Sequence, residues 1–336
     1  MTLLVSICLL CSVAIIAFGK RTVLITGANR GIGLEATRQL ASTGDWKIIM
    51  GVRNPDLASR AISRMEGKEN CEIRQVDLAS LADVKRFCEE IKKEENSIDV
   101  LACNAGIQVS GSAKNGPSFT KDGYEITVGT NHIGHFAMIQ MLMSALESSS
   151  SSPRVVIVGS GVHNPDEPGG NVGSKATLGE LQGFVKGFKR PISMIDDSFY
   201  DADKAYKDSK LCNVITSLEL ARRLQAGKYK STCNVMNPGL IPSTGLFRDL
   251  NPIFVAIFTF ITRYIAKVAV SEEEGGKRLA FMIANPSLDG VTGAYYSGKP
   301  GVDEFKPIDM STEAKDVEKG RKFWELSQQL VGINTI

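Results

Sequence analysis

A short run of strand-forming residues, Thr22-Val-Leu-Ile-Thr26, passes without a linker into Gly27-Ala28-Asn29-Arg30-Gly31-Ile32-Gly33 and then into a helical pattern reaching about Thr43. This junction constrains the fold more than any other stretch. A strand apolar at nearly every position is buried on both faces, and one that feeds a helix is followed by a parallel neighbour. Glycines at 27, 31 and 33 allow a tight turn and let backbone N–H groups approach an anion at the helix N-terminus. The spacing is T-G-x-x-x-G-x-G rather than G-x-G-x-x-G. Its place between a strand and a helix marks it as a cradle for a dinucleotide pyrophosphate.

The same alternation continues. Strand patterns recur at Trp46–Val52, Cys71–Val76, Ile98–Cys103, Arg154–Val158 and Thr232–Met236, with helical patterns near 80–95 and over Thr127–Met143. Right-handed crossovers then build an α/β fold, a doubly wound parallel Rossmann-type sheet flanked by helices, with its ligand at the carboxyl ends of the strands. A chain of 336 residues that is 43% hydrophobic is ample for one such domain, expected over 21–336.

The residues at those strand ends are informative. The second strand ends at Arg53, where an acidic residue would bind ribose hydroxyls and an arginine accommodates a 2′-phosphate. Arg30 in the glycine loop adds a second cation, so NADPH is expected over NADH. The fourth strand runs into Asn104-Ala105-Gly106, whose small residues let a cofactor lie against the backbone.

Tyr206-Lys207-Asp208-Ser209-Lys210 places a phenol and an ammonium four residues apart, on one face of a helix. The ammonium is expected to favour the phenolate and lower the phenol's pKa, making Tyr206 a proton donor near neutral pH.

Composition excludes several classes. Lys+Arg of 39 against Asp+Glu of 37 gives a net charge of +2 without a polybasic block, so no nucleic-acid partner is expected. Seven cysteines without regular spacing do not form a disulfide framework and point to a reducing compartment. Cys8 and Cys11 lie in an apolar run that offers no setting for a thiolate. Of the three histidines, His132 and His135 stand i,i+3 without a Cys or carboxylate to complete a metal site, and His163 is remote from both in sequence. No metal is expected; helix packing or a local hydrogen bond is the expected use of the first two.

Residues 1–20 hold a nearly uncharged apolar run at 3–18 before Lys20 and Arg21. The run fits either a short membrane anchor or a signal peptide. Because the first strand begins at once, an uncleaved anchor is the expectation, with the basic pair on the cytoplasmic or equivalent side. The long stretch 161–203 is expected to be a lid-like insertion. Within 245–270, the apolar Ile253–Ile261 precedes Arg263 and Lys267. This segment suits a cover over an apolar substrate or a contact with a membrane surface. The stretches 271–280 and 318–326 read as amphipathic helices covering the sheet.

Together the glycine loop, the N-A-G at 104–106, Asn131, Ser160, Tyr206, Lys210 and the P-G at 238–239 resemble the short-chain dehydrogenase/reductase family. The resemblance implies that Tyr206 exchanges the proton, Lys210 lowers its pKa and binds the nicotinamide ribose, Ser160 orients the reacting group and Asn131 holds a water in a proton relay. It extends the cofactor set to Gly27, Asn29, Arg30, Gly31, Ile32, Gly33, Arg53, Asp77, Leu78, Asn104, Ala105, Gly106, Tyr206, Lys210, Pro238, Gly239 and Thr244. Ser160, Tyr206, Asn237, Leu240 and Phe247 would face the substrate.

Within that family the chain is similar to the light-dependent protochlorophyllide oxidoreductases. The similarity is carried by V-G-T-N-H-I-G-H-F at 128–136, H-N-P-D-E-P-G-G at 163–170, K-A-Y-K-D-S-K-L-C-N at 204–213, S-T-G-L-F-R at 243–248, V-S-E-E-E-G-G-K-R-L-A at 270–280 and F-W-E-L-S-Q-Q-L-V-G at 323–332. Members reduce the C17=C18 double bond of the pigment with NADPH, driven by light the pigment absorbs. The chain departs from them at Asn237-Pro238-Gly239-Leu240, where that family usually reads Y-P-G-C, so its active-site cysteine is Leu240 here. A leucine donates no proton. Near the C-terminus, Tyr295-Tyr296-Ser297-Gly298 stands where tryptophans are usual.

Three readings remain open. One is an NADPH-dependent, light-driven protochlorophyllide reductase associated with a plastid membrane. Another is a membrane-anchored retinol or lipid carbonyl dehydrogenase of the endoplasmic reticulum. A third is a pigment-binding protein without turnover. The first two imply an apolar small-molecule substrate and a membrane surface as partners, and the fold leaves room for a homo-oligomer.

Overall fold

The computed structural model describes residues 19–109, 116–243, 256, 259–300 and 305–336. Its strands are β1 (Arg21–Thr26), β2 (Trp46–Val52), β3 (Cys71–Gln75), β4 (Val100–Cys103), β5 (Arg154–Val158), β6 (Thr232–Met236), β7 (Tyr295–Ser297) and β8 (Lys306–Ile308). They form one eight-stranded sheet in the order β3-β2-β1-β4-β5-β6-β7-β8. Strands β1 to β7 run parallel, and β8 closes the edge antiparallel to β7 with Tyr295 opposite Ile308. From β1 the chain winds outward to β2 and β3, then crosses back to β4. That reversal opens a crevice at the carboxyl ends of β1 and β4.

Side chains alternate across the pleat, and both faces are covered. Val23 and Ile25 enter the core on one face and Leu24 the core on the other; in β5, Val156 and Val158 divide from Val155 and Ile157 in the same way. Each such fully buried aliphatic side chain stabilises the fold by roughly 1.5–3 kcal/mol, so a one-residue slip in register would be costly.

On one face the helix Gly31–Thr43 packs against the helix Glu272–Ala284. The pair Gly275-Gly276 permits the close approach. A side-chain carbon at Gly275 would meet Ile32 Cγ2 at 2.6 Å, and one at Gly276 would meet Glu35 Cβ at 2.4 Å. The amphipathic helix Val317–Val331 covers the other face and buries Phe323 and Trp324.

The helix expected over Thr127–Met143 is composite: Ile126–Val128, a π turn at Gly129–Ile133, then Gly134–Glu147. In the π turn the N–H of Gly134 donates to Gly129 O, five residues back. Asn131 sits in this widened turn. Such turns insert a residue into a helix and are frequent at functional sites.

The insertion over 161–203 contributes to the core. Ala176, Leu178, Leu181, Phe184, Phe188 and Ile195 are buried in the same core as Phe323 and Trp324. Their irregular spacing shows no periodicity in sequence, because distant elements supply the partners. Within 245–270 the structure describes 256 and 259–270, where Phe260, Tyr264 and Ile265 are exposed around a π turn at Ile261–Ile265. Thr244, Phe247 and residues 1–18 of the expected anchor lie outside the described residues. Among the described residues no helix is long and apolar enough to cross a membrane.

Candidate active site

The glycine loop joins β1 to its helix as the spacing implied. Gly27 and Gly31 have φ of 67° and 57°, in the left-handed region that glycine adopts without strain. Gly33 is helical but cramped: a side-chain carbon there would lie 2.5 Å from Asn104 Nδ2 and 2.6 Å from Gly27 O. Among the described residues no side chain caps the first turn of this helix, and no acidic residue lies in it. Its N–H groups and positive dipole end therefore suit an anion. Arg30 and Arg53 are both exposed at the ends of elements bordering this turn. Asp77 and Leu78 follow β3, with Asp77 Oδ1 accepting from Ala79 N at 3.1 Å and Leu78 buried.

Asn104 fixes the floor of the crevice. Its Nδ2 donates to Thr26 O at 2.7 Å, while the Thr26 hydroxyl oxygen accepts from the backbone N–H of Asn104 at 2.9 Å and of Ala105 at 3.0 Å. Asn104 Oδ1 is buried without a hydrogen-bond partner among the described residues. An orphaned acceptor beside a cradle that a Cβ would fill fits a dinucleotide lying over this turn.

Asn131 faces the same floor. Its Oδ1 accepts from Ile107 N at 2.8 Å, and its Nδ2 donates to Ile107 O at 2.9 Å and to Ser209 Oγ at 3.0 Å. Ser209 in turn donates to Tyr206 O at 2.6 Å. Both amide hydrogens of Asn131 are thus engaged, so its side chain could hold a relay water only through the second lone pair of Oδ1. A side-chain carbon at Gly106 would lie 3.5 Å from both Asn131 Oδ1 and Lys210 Nζ, which places the three groups together.

Tyr206 and Lys210 lie on the helix Ala202–Ala226, which Asp201 caps by accepting from Asp203 N and Lys204 N. Lys210 Nζ is 5.6 Å from the centre of the Tyr206 ring and donates to Val158 O at 3.1 Å. Both side chains are buried, and here the electrostatics differ from expectation. Burial pushes the Tyr206 phenol well above its ordinary value. It also pulls the Lys210 ammonium down to about 8. Desolvation, which disfavours both charged forms, outweighs their mutual attraction at this separation. Tyr206 is therefore held as a protonated phenol. Ser160 follows β5, with its Oγ accepting from Val162 N at 3.4 Å. Its neighbour Gly161 borders Asn237: a side-chain carbon there would lie 3.2 Å from Asn237 Nδ2.

Beyond β6, Asn237 Oδ1 accepts from Gly239 N at 3.0 Å and Asn237 Nδ2 donates to Ser297 Oγ at 3.1 Å. Its carboxamide thus shapes the Pro238-Gly239 turn. Leu240 O accepts from Val270 N at 2.7 Å, pairing the strand end with the segment at 269–270.

Sequence reasoning missed three groups. Arg278, wholly buried, donates to Pro238 O at 3.1 Å, Gly298 O at 3.3 Å and Glu274 Oε1 at 2.8 Å, and so braces the Pro238-Gly239 turn from behind. Lys207 is buried with its Nζ directed at the carbonyls of Gly170, Val172 and Ser174. Lys204 bridges Asp208 at 2.6 Å and Asp196 at 3.0 Å and donates to Thr177 O at 3.0 Å. The two lysines fasten the 161–203 insertion to the Tyr206 helix. Their only sequence signal was the run of charges on a helix that has no polar face.

Residues 21–188 match the family model described as short chain dehydrogenase. The chain is 43% identical to "Protochlorophyllide reductase, chloroplastic" of Daucus carota over 318 residues, which cover 94% of this chain and 79% of that protein. It is 44% identical to "Protochlorophyllide reductase B, chloroplastic" of Oryza sativa subsp. japonica over 319 residues, covering 94% and 78%. Among solved structures, an uncharacterised protein of Mycobacterium paratuberculosis superposes with a TM-score of 0.69 at 27% identity, covering 95% of this chain and 96% of that one. The Pseudomonas aeruginosa "RhlG/NADP active-site complex" shares the fold with a TM-score of 0.60 at 21% identity, covering 82% and 94%.

Proposed function

Since this chain belongs to the short-chain dehydrogenase family, we propose that it is an NADPH-dependent reductase of protochlorophyllide, driven by light that the pigment absorbs. The observation that carries the substrate assignment is the reach of the similarity. Identity above 40% to protochlorophyllide reductases extends over 94% of the chain, beyond the family model's end at residue 188 and through the Tyr206 helix.

A nicotinamide, when bound, supplies the hydride. Every other part of the reaction falls to the protein. The loop at Gly27, Gly31 and Gly33 would hold the pyrophosphate with Asn29 and Ile32, and Arg30 and Arg53 the 2′-phosphate. Asp77 and Leu78 would border the adenine, and Asn104, Ala105 and Gly106 the nicotinamide ribose with Lys210. The Tyr206 O–H gives its proton to the carbon opposite the one that takes the hydride, so the double bond gains one hydrogen at each end. The phenolate left behind is stabilised by the Lys210 ammonium and regains its proton from solvent. The phenol carries its proton at neutral pH, and because burial disfavours its anion the Lys210 charge is the group that must ease the proton's departure.

The exposed Phe260, Tyr264 and Ile265, beside Arg263 and Lys267, support contact with a membrane surface, in a plastid under this reading. Purified protein is illuminated with NADPH and protochlorophyllide, and the red absorption band should shift as product forms. A band that stays in place while retinal oxidises NADPH in the dark would replace this reading with that of a lipid carbonyl reductase. Leu240, where a cysteine is usual, is the observation that favours this second reading. Leu240→Cys should raise photoreduction if the substitution is a handicap to the pigment reaction.

A further inference from the structure

One buried side chain between the cofactor turn and the Asn131 turn has no part in the steps above. His135 is 3% exposed, with Nε2 2.8 Å from Thr26 Oγ1 and Nδ1 3.0 Å from Asn131 O. Its tautomer follows from its partners. Thr26 Oγ1 already accepts two backbone N–H groups, from Asn104 and Ala105, so both lone pairs are engaged and its own hydrogen must be donated. Ala102 O lies 3.4 Å away and His135 Nε2 2.8 Å away, which makes the imidazole nitrogen the acceptor. The ring proton then resides on Nδ1 and is donated to Asn131 O, which can only accept.

His132 has the opposite arrangement. Ser327 Oγ donates to Phe323 O at 2.8 Å, so at 3.2 Å it accepts from His132 Nε2–H. Two histidines three residues apart thus carry opposite tautomers, each dictated by a hydroxyl whose hydrogen has a determined direction.

We propose that His135 is a positioning residue: as the Nδ1–H tautomer it joins the Thr26-Asn104-Ala105 turn, which faces the cofactor, to the carbonyl of Asn131, which belongs to the turn beside the proton donor. This rests on the nicotinamide-dependent reading of the site. The widened turn at Gly129–Ile133 gives Asn131 a backbone setting unlike that of a regular helix. A side-chain donor at Asn131 O holds that turn in register with the end of β1. His135 exchanges no proton itself, since burial and the nearby Lys210 charge keep the imidazole neutral. Its contribution is to keep the two halves of the site at one separation, where a displacement of about 1 Å can cost on the order of a hundredfold in rate.

The chain has three histidines, so 15N-histidine labelling resolves the tautomers directly on the full chain without cofactor. The His135 resonances, identified by their loss in His135→Gln, should report Nδ1–H and stay constant from about pH 6 to 9. An Nε2–H pattern overturns the proposal. NADPH binding, followed by fluorescence, and photoreduction are then compared in His135→Phe, His135→Gln and Thr26→Val. His135→Gln retains reach to Thr26, and Thr26→Val removes the hydroxyl while keeping the shape of the side chain. Expected in Phe and Val variants with native melting curves is a loss of roughly tenfold to a hundredfold in kcat with an altered solvent isotope effect, and partial rescue in Gln. A His135→Phe variant with native cofactor affinity, rate and isotope effect overturns the inference alone. Failure of the unaltered chain to bind NADPH overturns both the inference and the reading beneath it.

Discussion

Lys210 Nζ stands 5.6 Å from the centre of the Tyr206 ring and is held there by the carbonyl of Val158, at the end of the strand that leads to Ser160. The ammonium is anchored to the sheet and not to the phenol. Tyr206 keeps its proton because burial disfavours its anion, and Lys210 is placed to meet the charge that appears when the proton leaves. Tyr206→Phe should therefore lower turnover by about a hundredfold or more, a far larger effect than on NADPH affinity, measured by single-turnover absorbance and by fluorescence titration.

The pH dependence follows from Lys210. Burial lowers its ammonium to about 8, so the charge that stabilises the phenolate is present below that pH and lost as the pH rises through it. Turnover at saturating NADPH should fall above about pH 8. A rate that holds level to pH 10, near the unperturbed lysine value, would show that this charge is not required.

Arg53 follows β2 directly and is exposed, at the position where an acidic residue would instead bind ribose hydroxyls. Arg53→Asp should reverse the preference between NADPH and NADH, raising the Kd for NADPH by roughly tenfold or more. The ratio of the two affinities, read from fluorescence titrations at constant ionic strength, is the measurement.

His132 is buried against Phe136, Phe184 and Phe323, and burial pulls its imidazole down to about 3. For a base depressed in the folded state, the unfolded chain binds the proton first. Stability from this group is complete above the unfolded value near 6.5 and declines as the pH falls toward the folded value. A penalty on the order of 5 kcal/mol accumulates across that window. Urea midpoints should drop from pH 7 to pH 5, and His132→Gln should flatten that slope.

Lys207 places one ammonium among the carbonyls of residues 170, 172 and 174. Lys207→Met should destabilise the fold by on the order of 2 kcal/mol and expose this stretch to proteolysis. Mass spectrometry of early proteolytic fragments would locate the first cut, and a first cut elsewhere would count against the fastening role.

Much of this was legible in local spacing. The β1 pattern, the three glycines and the i,i+4 pair Tyr206 and Lys210 depend on residues close in sequence, and the period of a strand or helix alone places them on one face or at one end. The β7 and β8 strands were not legible, because three residues are too few to show a period. The insertion over 161–203 reads as lid-like because its apolar residues follow no repeat, and its share in the core shows only in the fold, where Leu178, Phe184 and Ile195 are buried in the cluster that holds Phe323 and Trp324.

The sequence by itself determined the order of the first six strands, the anion-binding turn after β1 and the pairing of a phenol with an ammonium on one helix. Tertiary structure alone decided the charges and protons. Lys204, Lys207, Asp208 and Lys210 would be solvated on an isolated helix, but packing on every side buries them and forces each to find a partner. The raised phenol of Tyr206 follows from that same burial, and the opposite tautomers of His132 and His135 follow from the Ser327 and Thr26 hydroxyls packed against them. Desolvation depends on which distant segments close over a group, and no local pattern records it.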